Sequence, residues 1–219
     1  MSDLNDFIRR HSSTEKITIL DFGAGNSPYR KYFPNADYRR ADILTTPDLQ
    51  YRITTDSRIA EDAEVFDLII STQVLEHVEN VNAYLSESFR LLKKGGTLLV
   101  TTHGIWEEHG VPYDFQRWTE AGLIRDLKLA GYADVTIYKL TCGLRGALFL
   151  FISCLFKTRA PLPKIFRFIF KLFRTAISRL FPLFYWAIDK YWPENRIVQA
   201  GNASTEAAFH IIIAAIARK

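Results

Sequence analysis

Residues 16–27, KITILDFGAGNS, decide the fold. Lys16 to Asp21 is an apolar run rich in β-branched residues, the composition of a buried strand. It stops in a bend of two glycines, Gly23 and Gly25. Without a Cβ, these let backbone amides come close to a ligand. In an open α/β sheet the ligand lies beyond the carboxyl ends of the strands, where this bend falls. Pro28 is tolerated in a first helical turn, so a helix is expected to start over 27–33. The next strand, Tyr38 to Ala41, ends at Asp42, where a carboxylate can accept from both hydroxyls of a ribose. The third glycine of the dinucleotide fingerprint is absent, and Pro28 stands in its place. A pyrophosphate needs a free helix N-terminus, so the loop suits a nucleoside without phosphate better.

The same alternation continues outward. Tyr51 to Thr54 and Val65 to Ile70 read as strands three and four. Val81, Tyr84, Leu85, Phe89 and Leu92 keep helical spacing until Gly95-Gly96. Thr97 to Thr102 reads as the fifth strand, Thr119 caps a helix ending at Gly131, and Asp134 to Leu140 reads as the sixth. Ala207 to Ile216 is a last apolar strand, expected antiparallel beside the sixth. The expected fold is a doubly wound, Rossmann-like α/β domain with a mostly parallel seven-stranded sheet. Residues 1–142 and 197–219 form it, and 143–196 are a helical insertion.

Composition narrows the class. The chain has 219 residues, 48% hydrophobic and 24% charged, which marks a folded domain. Its two cysteines make neither a disulfide framework nor a four-ligand zinc site. Residues 1–13 hold no apolar run, so a secretory signal is not expected there, and a cytoplasmic place is.

Four stretches, in order, carry a resemblance. ILDFGAGN (19–26) resembles motif I of class I S-adenosylmethionine-dependent methyltransferases. ADI (41–43) resembles their acidic second motif. FDLIISTQVLEHV (66–78) resembles the fourth-strand motif of the small-molecule branch, and LLKKGGTLLV (91–100) the step after it. The resemblance implies an enzyme with S-adenosylmethionine as cofactor. It implies that Asp21, Gly23, Ala24 and Gly25 line its methionine part, Asp42 holds its ribose and Ile43 packs on its adenine. It places Asp56 and Ser57 at the adenine edge and Gln73 beneath the cofactor. The stretch from Asp42 to Tyr51 departs from the family, being too short for a full helix.

Methyl transfer from a sulfonium is an in-line displacement. The protein supplies alignment and, for a hydroxyl acceptor, a base. Candidate bases follow strands four and five: His103 first, then His77 and His109, with Glu76-His77 also placed to organise a helix start. Imidazole titrates near neutrality. The segment 103–119 resembles the "H…P.D..R.T" segment of bacterial glycan and lipid-precursor methyltransferases. Trp106, Tyr113 and Trp118 could stack on a sugar, and Asp114 and Arg117 could bind its hydroxyls or pair with each other. No tight ligand spacing is visible, so no metal is predicted.

Residues 143–196 carry a net charge of +8, against −4 for the remainder, and nine of the sixteen phenylalanines. Lys164, Arg167, Lys171, Arg174 and Ser178 share one helical face. Ile165, Ile169, Leu172, Phe173, Ala176 and Leu180 share the other. Two readings stay open: an interfacial helix facing anionic lipid along 147–188 at the inner face of a membrane, or a cap on the domain or on a second subunit of a homodimer. No nucleic-acid motif accompanies the charge, and nucleic acid is not expected as a partner. The expected reaction is O-methylation of a small-molecule or lipid-linked acceptor, a saccharide first. A quinone-like or lipid acceptor, and a non-catalytic binding module, are the alternatives.

Overall fold

The computed structural model describes residues 2–46, 48–110, 113–157, 163–201 and 209–219, the side chains of Lys164 and Glu194 excepted. The elements are α1 (Ser2–Arg10), β1 (Thr18–Phe22), β2 (Asp37–Asp42), β3 (Tyr51–Arg52), β4 (Phe66–Thr72), α2 (Val81–Leu91), β5 (Leu92–His103), α3 (Glu120–Leu129), β6 (Asp134–Cys142), α4 (Gly143–Lys157), α5 (Lys164–Tyr191), β7 (Ile197–Gln199) and β8 (His210–Arg218). One sheet runs β3-β2-β1-β4-β5-β8-β6-β7. β1 pairs in parallel with β2 and β4, and β4 with β5. β8 lies antiparallel between β5 and β6.

The strand order reverses between β1 and β4, which opens the crevice where an α/β sheet binds its ligand. Each face has its own core. α2 and α3 cover one side through Tyr84, Leu85, Leu123 and Leu127. α1 and the 29–33 turn cover the other through Phe7, Ile8, Tyr29 and Phe33, and Phe149 of α4 packs there too.

The sheet has eight strands rather than seven. The extra one, β7, pairs antiparallel with β6 at the edge. Three residues are too few to show a two-residue period in sequence. The last strand is His210–Arg218, and Ala207 and Ala208 lie outside the described residues. The helix expected over 27–33 is only a 3-10 turn, Arg30–Tyr32. Pro34 disfavours helical geometry in the residue before it, and Phe33 has left the helix at φ −131°, ψ 63°. β5 begins at Leu92 rather than Thr97, with Gly95 at φ +76°. Backbone bonds between Lys219 and Gly95-Gly96 extend the pairing there.

Helices α4 and α5 are anchored at their root. Arg145 of α4 is buried and donates Nε–H to Asp3 of α1 at 2.8 Å, and also pairs with Asp189 of α5. Farther out, α5 shows solvent the face carrying Ile165, Ile169, Leu172, Phe173 and Leu180. The side turned inward instead carries Phe170, Arg174, Ile177, Phe181, Tyr185 and Ile188. Among the described residues no helix is long and apolar enough to cross a membrane.

Candidate functional site

The glycine bend is closed onto the end of β2. Gly23 and Ala24 both donate their N–H to Ala41 O, at 2.9 and 3.0 Å. Gly25 donates to Asp42 Oδ2 at 2.8 Å, and Leu44 donates to Oδ1 at 3.0 Å. A carboxylate accepts about four hydrogen bonds, so lone pairs remain for two ribose hydroxyls. The glycines serve different ends. At Gly23, φ +84°, a Cβ would stand 2.5 Å from a Val74 methyl. At Gly25, φ +47°, a Cβ would meet nothing within 4 Å, so a hollow lies open there. Ile43, beside Asp42, is 51% exposed despite being aliphatic, an apolar surface suited to a nucleobase.

Asp21 is buried beneath the bend and accepts from Tyr38 Oη at 2.7 Å. Burial raises its pKa to about 6, and the Tyr38 bond works against the rise. Gln73 holds φ +55°, its N–H on Thr101 O at 2.9 Å and its Nε2 on Thr101 Oγ1 at 3.1 Å. Ser57 spends its amide inside a turn, on Thr54 O. Asp56 is exposed and accepts from Thr54 Oγ1, leaving its carboxylate as the group that can face an adenine edge. The backbone of this segment joins the end of β2 through Ile53 N–H on Asp42 O at 2.8 Å.

Sequence reasoning missed two supports. Val74 fills the space that Gly23 leaves. Tyr84 stacks on Phe22 at 4.3 Å and donates its hydroxyl to Phe22 O at 2.7 Å, bracing the strand end that carries the bend. Tyr84 falls in the apolar stripe of α2, so its spacing signals only core.

Beyond β4 and β5 the fold gathers the candidate bases. Glu76 is fully buried and accepts from Thr102 Oγ1 at 2.8 Å. His103 Nε2 lies 3.2 Å from Glu76 Oε1, outside hydrogen-bonding geometry. Burial raises the pKa of Glu76. Burial, then the nearby His109 and Arg117, push His103 down to about 3. That ring is therefore neutral, and as a lone base it is poorly matched to neutral pH. His109 packs edge-on against both His103 and His77, with centroids at 5.1 and 5.2 Å. The atoms that Glu76, His77 and His109 could offer a cation lie within 4.8 Å of one another, a proximity their linear spacing does not show.

Asp114 and Arg117 pair with each other. Both carboxylate oxygens meet the guanidinium, at 2.5 and 2.6 Å, and the Asp114 side chain is only 1% exposed. The guanidinium holds Asp114 well below the usual carboxylate range. Of the two readings for this pair, the geometry favours pinning the loop over binding a sugar. Trp106 is stacked on His103 on one side and Phe149 of α4 on the other, both at 5.4 Å. Trp118 is buried and donates to Asp126 at 2.9 Å. Tyr113 remains open, paired with exposed Phe115 at 5.7 Å. Backbone bonds from Phe115 N–H to Glu76 O and from Trp118 N–H to His103 O hold this irregular loop on the strand exits.

A reversed parallel sheet, a glycine bend and an acid on the next strand define a Rossmann-like enzyme domain that binds a nucleoside cofactor. Comparison with known proteins narrows the class. Residues 2–132 match the family model described as a methyltransferase domain. The chain belongs to that family, within the class I S-adenosylmethionine-dependent methyltransferases. It is 38% identical over 55 residues to the ubiquinone biosynthesis O-methyltransferase of Brucella anthropi, a match covering 25% of this chain and 22% of that one. With the mitochondrial enzyme of the same name from Rattus norvegicus it shares 36% over 66 residues, 30% of this chain and 19% of the other. The matches thus span about a fifth of those relatives. Among solved structures, phosphoethanolamine N-methyltransferase 2 of Haemonchus contortus, bound to S-adenosyl-L-methionine, aligns with a TM-score of 0.56 at 13% identity, over 100% of this chain and 52% of that one. A SAM-dependent methyltransferase of Archaeoglobus fulgidus aligns at 0.54 and 13%, over 99% and 93%. At such identities the likeness is one of fold.

Proposed function

We propose that this methyltransferase methylates a hydroxyl oxygen of a lipid-linked acceptor, a saccharide precursor, at an anionic membrane surface. The observation that carries this reading joins the insertion to the acceptor mouth. Phe149 of α4 stacks on Trp106, which stacks on His103, and Lys157 at the end of α4 pairs with Glu107 of the same loop. The apolar residues that α5 leaves in solvent sit on a helix with Arg167, Lys171 and Arg179 also exposed. Such a helix suits an anionic lipid surface, and an acceptor with a lipid tail would reach the mouth along it.

S-adenosylmethionine, when bound, supplies the methyl group and a thioether leaving group. Asp42 would hold the nucleoside end, Gly23 to Gly25 would line the methionine end, and Ile43 would cover the base. The acceptor oxygen is presented between the β4 and β5 exits, and its proton passes to His103, which His109 flanks. Tyr113 and Phe115 offer an aromatic face for a sugar. A quinone-like headgroup is the second reading. It is favoured by the Trp106 sandwich, which leaves that tryptophan no open face for a sugar, and by the names of the partial relatives.

The test incubates the full chain with S-adenosylmethionine carrying a labelled methyl and with separated lipid-linked and water-soluble cell fractions, followed by mass spectrometry. Label entering a lipid-linked glycan supports the first reading, and label in a prenylated quinol the second. Label confined to water-soluble products overturns both. His103→Ala should lower turnover at least tenfold while cofactor affinity stays within about twofold.

A further inference from the structure

We propose that Glu76, His77 and His109 bind one divalent cation of the zinc, manganese or cobalt type beside the acceptor mouth. Binding itself stands apart from the function proposed above. Its use, to hold the acceptor's hydroxyl oxygen, rests on that reading.

The hydrogen bonds around the two imidazoles settle which nitrogen is free. His77 Nδ1 is 2.5 Å from Tyr113 O. A carbonyl only accepts, so Nδ1 carries the proton and the neutral ring keeps its lone pair on Nε2. His109 Nδ1 lies 3.2 Å from Asp114 Oδ2 and 3.3 Å from Glu107 O, both acceptors. It too is protonated at Nδ1 and bare at Nε2. Asp114 is clamped by Arg117 and keeps its charge for this contact. Metal-binding histidines are commonly oriented in this way, the distal N–H given to a carbonyl or a carboxylate.

The third donor supplies the independent observation. Glu76 is fully buried, Thr102 satisfies Oε2, and Oε1 has no hydrogen-bond partner. An unmatched buried carboxylate oxygen is costly. Its polar neighbour His103 Nε2, at 3.2 Å, lies outside hydrogen-bonding geometry. A cation among three lone pairs matches Oε1 instead. Bond lengths of about 2.0–2.2 Å put donor atoms roughly 3–3.5 Å apart around such an ion. Each of the three residues has a donor atom within 4.8 Å of the other two, and side-chain rotation would bring the bare lone pairs onto one ion. Two imidazoles and one carboxylate select borderline transition ions over magnesium or calcium, which take oxygen ligands. Three protein ligands leave positions open for an acceptor oxygen.

The experiment strips the full chain with a chelator, then titrates it with Zn²⁺ by calorimetry and with Co²⁺ by visible absorption. One equivalent of each is expected, with cobalt d–d bands that His109→Ala and His77→Ala each weaken by about tenfold or more in affinity. Both variants should keep the wild-type circular dichroism and bind S-adenosylmethionine within about twofold of wild type. Magnesium should not compete with Co²⁺ at equal concentration. Absence of binding, or binding that both variants retain, overturns the proposal. Cofactor binding without metal binding sinks the cation site alone. Metal binding without cofactor binding upholds the site and sinks its use in methyl transfer. Glu76→Gln should likewise lose Co²⁺, and should it fail to fold, the two histidine variants still decide.

Discussion

Gly25 donates its backbone N–H to Oδ2 of Asp42 across 2.8 Å, so the first loop and the second strand form one cradle rather than two neighbouring features. Glycine is needed at both bend positions for separate reasons, and substitution distinguishes them. Gly23→Ala forces a Cβ against Val74 and strains φ, and should lower stability by about 2–4 kcal/mol. Gly25→Ala meets only backbone strain, about 1–2 kcal/mol, yet places a methyl in the hollow proposed for the cofactor. Urea melts should rank Gly23→Ala below Gly25→Ala, while calorimetry finds Gly25→Ala folded and at least tenfold weaker for S-adenosylmethionine. Equal affinity in Gly25→Ala and wild type would displace the cofactor from this bend.

Asp42→Asn keeps one acceptor for Gly25 or Leu44 and removes the charge that the ribose hydroxyls would meet. A charged hydrogen bond contributes about 1.5–3 kcal/mol. Affinity for S-adenosylmethionine should fall by roughly ten- to a hundredfold, with a smaller loss in melting temperature. Calorimetry and thermal unfolding on one sample separate the two effects.

Asp21 makes stability depend on pH in an unusual direction for a carboxylate. Its folded pKa, about 6, stands above the ordinary value near 3.8. The folded state therefore binds the proton more tightly. The stabilisation is full below about pH 3.8 and is lost as pH rises through 6. Asp21→Asn, which can still accept from Tyr38, should stabilise the cofactor-free protein by up to about 3 kcal/mol at pH 7–8. The gain should vanish near pH 4. Chemical denaturation across that range measures it, and a gain independent of pH would refute burial of the charged carboxylate as its cause.

Asp3 ties α1 to Arg145 of α4 and to Arg196. Arg145 and Arg196 each donate Nε–H to it, at 2.8 and 3.0 Å, and Thr141 donates its hydroxyl at 2.9 Å. Asp3→Ala leaves buried Arg145 without this carboxylate, at a cost of about 3–5 kcal/mol. For a domain of this size that is a fall of roughly 10 °C in melting temperature. Scanning calorimetry checks it, and a fall under about 3 °C would show the network to be dispensable.

The exposed face of α5 should bring the chain to anionic vesicles. Reversing Arg167, Lys171 and Arg179 to Glu should abolish co-sedimentation at low salt, and raising salt should weaken the wild type. Replacing Phe166, Phe168 and Phe173 with Ser should remove the remainder that salt leaves. A wild type that ignores vesicles and forms dimers in solution would favour the second-subunit reading of this face.

What the chain determines locally was legible in its letters. KITILD followed by two glycines, an acid closing the next strand, and the apolar runs of β4 and β5 each carry their own period and punctuation, so sheet, cradle and family followed from them. Tertiary structure decided what depends on distant pairing. β7 exists only because β6 offers it an edge. The cut between Phe33 and Pro34 left a 3-10 turn where a helix was expected. Asp114 chose Arg117 over an acceptor, and α5 turned Phe170, Phe181 and Tyr185 inward while leaving Ile165 and Leu172 in solvent. Glu76, His77 and His109 meet only when the β4 exit and the 103–118 loop are stapled together, a contact made by backbone bonds that no side-chain pattern announces. Short-range propensity is written in neighbouring residues, whereas convergence of side chains is set by how the layers close, and that is a property of the whole fold.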